Sequence, residues 1–139
     1  MNIPLAISAC FTAIAALLHL GCIYFGAPWY RFFGAGEEMA KLAEQGSLQP
    51  TLVTLFIFAV LAVWACYALS GAGVIKKLPL RKLVLVLITL IFTIRAIAGF
   101  FLIAEPIGRT PEFWLWSSLI CLAFACSYGI GIKQQWQQL

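Results

Sequence analysis

The chain reads as an all-α integral membrane bundle of four transmembrane helices, with a short interfacial helix in the first outer loop. Three observations predict this. Of 139 residues, 63% are hydrophobic and only 10% charged, whereas a soluble domain carries about 25% charged residues. The mean hydropathy is +1.00. Four apolar stretches, about 4–26, 50–72, 82–104 and 112–133, each reach the roughly 20 residues needed to cross the hydrocarbon core. At this length they form a single domain, 1–139.

The first span opens at Pro4, which suits a first helical turn because the missing N–H would be unpaired there anyway. Ile7-Ser8-Ala9-Cys10 has the form of a lipoprotein cleavage box. No Lys or Arg precedes it, and the apolar run continues past Cys10, so it reads as the start of a retained helix. Pro50 opens the second span, and Gly71 and Gly73 close it. Pro79 and Pro111 fall just before the third and fourth, and Glu105-Pro106 closes the third.

The loop at 27–49 is too aromatic for a free linker and is expected in the headgroup region. Glu37 to Gln45 reads as a short helix. Its two leading acids suit the positive N-terminus of a helix, and Gly46 suits its C-cap.

Charge orients the spans. Lys76, Lys77, Arg81 and Lys82 cluster between spans two and three with no acid beside them. By the positive-inside rule that loop is cytoplasmic, and both termini lie inside with Lys133. All five acids then fall outside, at Glu37, Glu38, Glu44, Glu105 and Glu112, with Arg31, Lys41 and Arg109. Trp29, Tyr30, Trp114 and Trp116 sit at the outer interface and Trp136 at the inner one, as belt residues. The expected location is a bacterial inner (cytoplasmic) membrane, crossed several times.

Arg95 stands alone inside the third span. A charge at bilayer depth costs about 2.5–3.5 kcal/mol even on the lenient insertion scale, so it normally faces a partner or a wet cavity. His19, the one histidine, lies at a similar depth in span one, roughly 10–13 Å below the outer surface. It shares a helical face with Ser8, Thr12, Ala15, Cys22 and Gly26, a small and polar stripe of the kind that faces other helices. Ala98 and Gly99 are expected to leave room beside Arg95. Thr51, Thr54, Ser117 and Ser118 come to comparable depth from spans two and four, with Gln49, Glu105 and Glu112 near the rim.

Several chemistries lack their residues. No acid lies in the centre of any span, which argues against a proton-coupled exchanger built on a membrane carboxylate. The layout resembles that of small multidrug transporters, but His19 occupies the helix where those place an acid. The five cysteines form no C-x-x-C pair, and His19 has no metal-ligand spacing, so no metal and no cofactor is expected. There is no P-loop or dinucleotide fingerprint. The net charge of +4 is too scattered for nucleic acid.

Gly26-Ala-Pro-Trp-Tyr-Arg-Phe-Phe-Gly-Ala-Gly-Glu37 and Tyr67-Ala-Leu-Ser-Gly-Ala-Gly-Val-Ile-Lys-Lys-Leu-Pro79 resemble segments of uncharacterised small four-span bacterial inner-membrane proteins. The resemblance implies the topology and the membrane, and carries no activity. The layout is also similar to sterol-isomerase-like and sigma-2-receptor-like bundles, at the level of fold alone.

The reading that follows is a membrane protein that binds, and in one version transports, a small amphipathic or lipid-like molecule in an outward-facing polar pocket. Arg95 would hold the polar end, with His19 as hydrogen-bond partner or proton relay. Thr54, Ser117 and Ser118 would line the pocket, with Tyr30, Arg31 and Glu105 at its mouth. Expected partners are the lipid bilayer, that ligand, and a second copy of the chain. One alternative is a non-catalytic accessory or interaction protein. The other is a membrane enzyme acting on a lipid-like substrate, with His19 as acid and base.

Overall fold

The computed structural model describes residues 1–33, 36–105 and 109–139. Among them there are only helices and their connections. The four long ones are α1 (Ile3–Phe25), α4 (Gln49–Ala72), α5 (Arg81–Leu102) and α6 (Pro111–Gln135), each long and apolar enough to cross a membrane. Two short helices lie between the first pair, α2 (Ala27–Phe32) and α3 (Glu37–Glu44). The protein is a multi-pass membrane protein with a helix-bundle fold. Pro106, expected to close the third span, and residues 34–35 of the first loop lie outside the described residues.

Side-chain and glycine caps bound the long helices. Asn2 caps α1, its Oδ1 accepting from Leu5 N at 2.9 Å, and Thr110 caps α6 by accepting from Phe113 N at 3.1 Å. Each satisfies a first-turn N–H that has no partner inside the helix. Gly73 closes α4 with a left-handed backbone (φ 85), and Val74 N then donates back to Leu69 O at 3.0 Å. Helix α2 is a finding beyond the sequence reading. Gly26 (φ 77) breaks the path of α1, and Pro28 sits in the first turn of the new helix.

The order around the bundle is α1, α4, α5, α6, each packed on the next, and α6 returns to α1. α1 and α5 stand on a diagonal and make no close backbone approach. One end carries α2 and α3, and the other carries both termini. Small side chains set the packing. Ala9, Ala68, Ala72, Ala96 and Ala125 are buried. A Cβ added at Gly131 would come within 2.5 Å of Leu5 Cγ. Close approach at small residues is how membrane helices gain van der Waals contact without a hydrophobic drive between them.

Large apolar side chains point the other way. Ile14, Leu17, Phe56, Ile94, Ile97 and Ile120 are all exposed. Only 22–28% of each span's most apolar window is buried within the bundle, so most of its surface is left to face lipid.

Candidate functional site

Arg95 projects from α5 toward α6. Its Nη2 donates to Ser117 Oγ at 2.5 Å, and its Cζ lies 5.0 Å from the centre of the Trp114 ring. Gly99, one turn along α5, makes the room. A Cβ there would stand 2.7 Å from Arg95 Nη1 and would overlap Ser118 Oγ. Ala98, expected to share this role, is exposed. Three buried polar atoms of this cluster have no hydrogen-bond partner among the described residues: Arg95 Nη1, Ser118 Oγ and Trp114 Nε1. The ion pairs among those residues are made by Arg31, so Arg95 meets no carboxylate there.

A cleft of about 710 Å3 opens beside this cluster, at the end that carries α2 and α3. Arg31, Glu37, Arg109 and Glu112 stand around its polar mouth. Phe113, Trp116 and Ile120 supply an apolar wall on α6, with Ser117 beside them and Cys121 deepest along that helix. Arg109 stacks on Phe113 and Trp114, with Cζ 5.1 and 5.7 Å from the two ring centres. Ser117 therefore touches the cleft while its oxygen accepts from Arg95. It makes no other hydrogen bond among the described residues. Its own proton is available to an acceptor in the cleft, polarised by the cation behind it.

Arg31 at the mouth is a clasp. Its Nε and Nη2 hold both oxygens of Glu37, the shortest contact being 2.9 Å, and its Nη1 reaches Glu44 Oε1 at 2.5 Å. Hydrogen bonding to Arg31 holds the Glu37 carboxyl below the usual carboxylate range. The same acids push the Arg31 guanidinium further into its charged form. The clasp ties α2 to both ends of α3.

The other predicted residues lie elsewhere. Tyr30, placed at the mouth by the sequence reading, turns inward and is only 3% exposed. Its hydroxyl lies 3.2 Å from Thr54 Oγ1, beneath α2. His19 is half-buried on α1, and its Nδ1 lies 2.7 Å from the Ala15 carbonyl of its own helix. Being on α1, it stands diagonal to Arg95. Glu105 is exposed just past the end of α5. The structure thus brings together Arg95, Ser117 and Ser118, separately joins Tyr30 to Thr54, and leaves His19 apart from both.

Two features escaped the sequence reading. Trp114, taken as a belt residue, is buried against Arg95. A polar seam also joins α1 to α6. Asn2 Nδ2 donates to Gln134 Oε1 at 2.9 Å, Ser8 and Ser127 hydroxyls meet at 2.6 Å, and Thr12 Oγ1 lies 2.7 Å from the Tyr128 hydroxyl. The signal available was Ser8 and Thr12 at i, i+4 in an apolar helix, which marks a helix-facing stripe but not the helix it meets. No three His, Cys or Glu side chains among the described residues are grouped to hold a metal ion. The chain matches no family model, no curated protein and no solved structure, so the likeness of residues 26–37 and 67–79 to small four-span proteins gains no further support.

Proposed function

We propose that the protein binds a small amphipathic, lipid-like molecule in the cleft beside α6, with an anionic or carbonyl-bearing head. The observation that carries this reading is the joining of three features in one cleft. Guanidinium groups stand at the mouth, an aromatic and aliphatic wall runs along α6, and Ser117 lies between the cleft and Arg95. The wall suits an apolar body. The Ser117 proton, polarised by Arg95 behind it, suits an acceptor head, while Arg31 at the mouth is already held by Glu37 and Glu44.

The surroundings of Arg95 favour an anion nearby. An arginine at bilayer depth costs about 2.5–3.5 kcal/mol. The Ser117 hydrogen bond returns about 0.6–1.7 kcal/mol, and the Trp114 face about 1–2 kcal/mol. Nη1 is still left without an acceptor. An anionic head near Ser117 would add a favourable charge interaction that no acid of the described chain supplies to Arg95. His19 has no part in this cleft, and the role first given to it falls to Ser117. In this reading the cleft faces outward from a bacterial inner membrane and both termini are cytoplasmic, because Lys76, Lys77, Arg81 and Lys82 gather at the opposite end. A reporter that fluoresces only in the cytoplasm, fused after Leu139, should light up.

Native mass spectrometry of protein extracted gently from its membrane tests the binding, with wild type beside Arg95→Leu and Ile120→Trp. The tryptophan fills the apolar wall without touching Arg95. A discrete added mass is expected on wild type, reduced about tenfold in either variant, which corresponds to about 1.4 kcal/mol of binding. A bare wild-type chain, or an adduct equally abundant on all three proteins, would overturn the reading.

A further inference from the structure

A second cavity, of about 540 Å3, lies at the opposite end of the bundle, between the start of α5 and the residues after α6. Its cations are Lys77, Arg81 and Lys82. Lys76 precedes them, and no acidic side chain occurs anywhere in residues 45–104 or 113–139. Arg81 is fixed in place. Its Nη1 donates to Ser70 O and its Nη2 to Gln138 O, both at 2.7 Å. Both acceptors are neutral carbonyls, so they position the cation without cancelling its charge. Lys82 Nζ stands 4.1 Å from the centre of the Trp136 ring, a contact that also leaves its charge intact. The ion pairs among the described residues all lie at the other end of the molecule.

Below these cations the cavity is apolar. Leu83 and Val86, three residues apart, continue it along one face of α5 into the membrane-spanning part of that helix. Leu80 and Trp136 flank the cations. Leu80 holds a left-handed backbone (φ 55), which costs a leucine roughly 1–2 kcal/mol, and presents an exposed side chain at this rim.

A fixed cationic rim above an apolar strip, where a span enters the bilayer, complements the two halves of one molecule. We infer that this cavity binds an anionic phospholipid from the leaflet at the termini's end. Lys77, Arg81 and Lys82 hold its headgroup phosphate, and an acyl chain lies along Leu83 and Val86. A zwitterionic phospholipid carries the same phosphate, but no acidic side chain lines the cavity to receive its ammonium. The preference therefore rests on net headgroup charge. This site shares no residue with the cleft beside α6 and stands independently of it.

The test offers the delipidated full-length protein, in detergent, equal amounts of phosphatidylglycerol and phosphatidylcholine and reads the lipid adducts by native mass spectrometry. Wild type should take phosphatidylglycerol in preference. Lys77→Gln/Lys82→Gln should lower that adduct about fivefold for each lysine removed, the usual worth of one cation near an anionic membrane surface. Lys77→Arg/Lys82→Arg should keep the preference, which separates lost charge from lost fold. Lys41→Gln, at the α3 end, should change nothing. Equal uptake of the two lipids by wild type, or an undiminished preference in the glutamine variant, overturns the proposal. So does complete displacement of the lipid by millimolar inorganic phosphate, which would show a site for a soluble anion.

Discussion

Arg95 Nη2 and Ser117 Oγ meet at 2.5 Å across the α5–α6 interface, so a cation at bilayer depth is met by a neutral hydroxyl. That pairing fixes the rotation of α6 against α5 and sets Ser117 between a charge and the cleft. Its strength is open to direct measurement.

Ser117→Ala removes the acceptor and strands Nη2. Interhelical hydrogen bonds in membranes average about 0.6 kcal/mol and reach about 1.7, and the charged donor puts this one toward the upper end. Reversible unfolding in mixed micelles should show a loss of about 1–2 kcal/mol. In an Arg95→Met background the same substitution should cost close to nothing, because the partner is already gone.

Gly99 is the space into which Arg95 Nη1 and Ser118 Oγ both project. Gly99→Ala should destabilise the bundle by about 1–3 kcal/mol through overpacking. Ser118→Ala removes an oxygen that is buried without a hydrogen bond, so it should be neutral or slightly stabilising alone. Combined with Gly99→Ala it should recover part of the loss, since the closest atom, Ser118 Oγ, is gone, while Arg95 Nη1 at 2.7 Å sits at the end of a flexible side chain and the Ser118 Cβ lies at 3.2 Å. Thermal denaturation of the four proteins side by side decides it.

Thr12 Oγ1 donates to the Ser8 carbonyl at 2.7 Å, so toward Tyr128 it acts as the acceptor of the phenol proton. Tyr128 is fully buried. Tyr128→Phe should cost about 1 kcal/mol, and Thr12→Val a similar amount. The double variant should cost less than the two together, and that shortfall, taken from a double-mutant cycle, is the seam's coupling energy.

The Arg31 clasp is pH-dependent in one direction. Arg31 holds Glu37 below its unfolded carboxyl value. Such a group contributes stability above the unfolded value, near pH 4.3, and loses it as pH falls through the folded one. Hydrogen exchange of residues 27–33 and 36–46 should speed up as pH drops from 5 to 3, after correction for the intrinsic rate. The α1–α6 seam should stay protected. Arg31→Gln should show the faster exchange already at pH 7. All three side chains are substantially exposed, so the effect is local and weakens with salt.

The four spans were legible because length, apolarity and punctuation suffice to define them. Each expected boundary falls within about three residues of the helix that forms, and the Glu37 helix ends one residue short of expectation. That Arg95 lies inside the third long helix was legible for the same reason. Helix α2 was not, because Ala27–Phe32 is too short to show a period and its start depends on the backbone of Gly26. The site was legible only in part. Arg95, Ser117 and Ser118 were named together, but Trp114 was read as a belt residue and Arg109 was given no role.

Composition and periodicity were enough for the fold class, the four long helices and the residues that share a helical face. Only the tertiary structure decided which face meets which helix. His19 and Arg95 were expected at one depth, yet α1 and α5 stand on a diagonal, and His19 bonds Ala15 while Arg95 bonds Ser117. Ser8 and Thr12 share a stripe with His19, yet they pair with Ser127 and Tyr128 of α6, while His19 turns to Ala15. The physical reason is that helical periodicity fixes the angle of a side chain about its own axis and its height along it. The order of helices around a bundle comes from close packing at small residues such as Gly99 and Gly131, where contact depends on both partners at once.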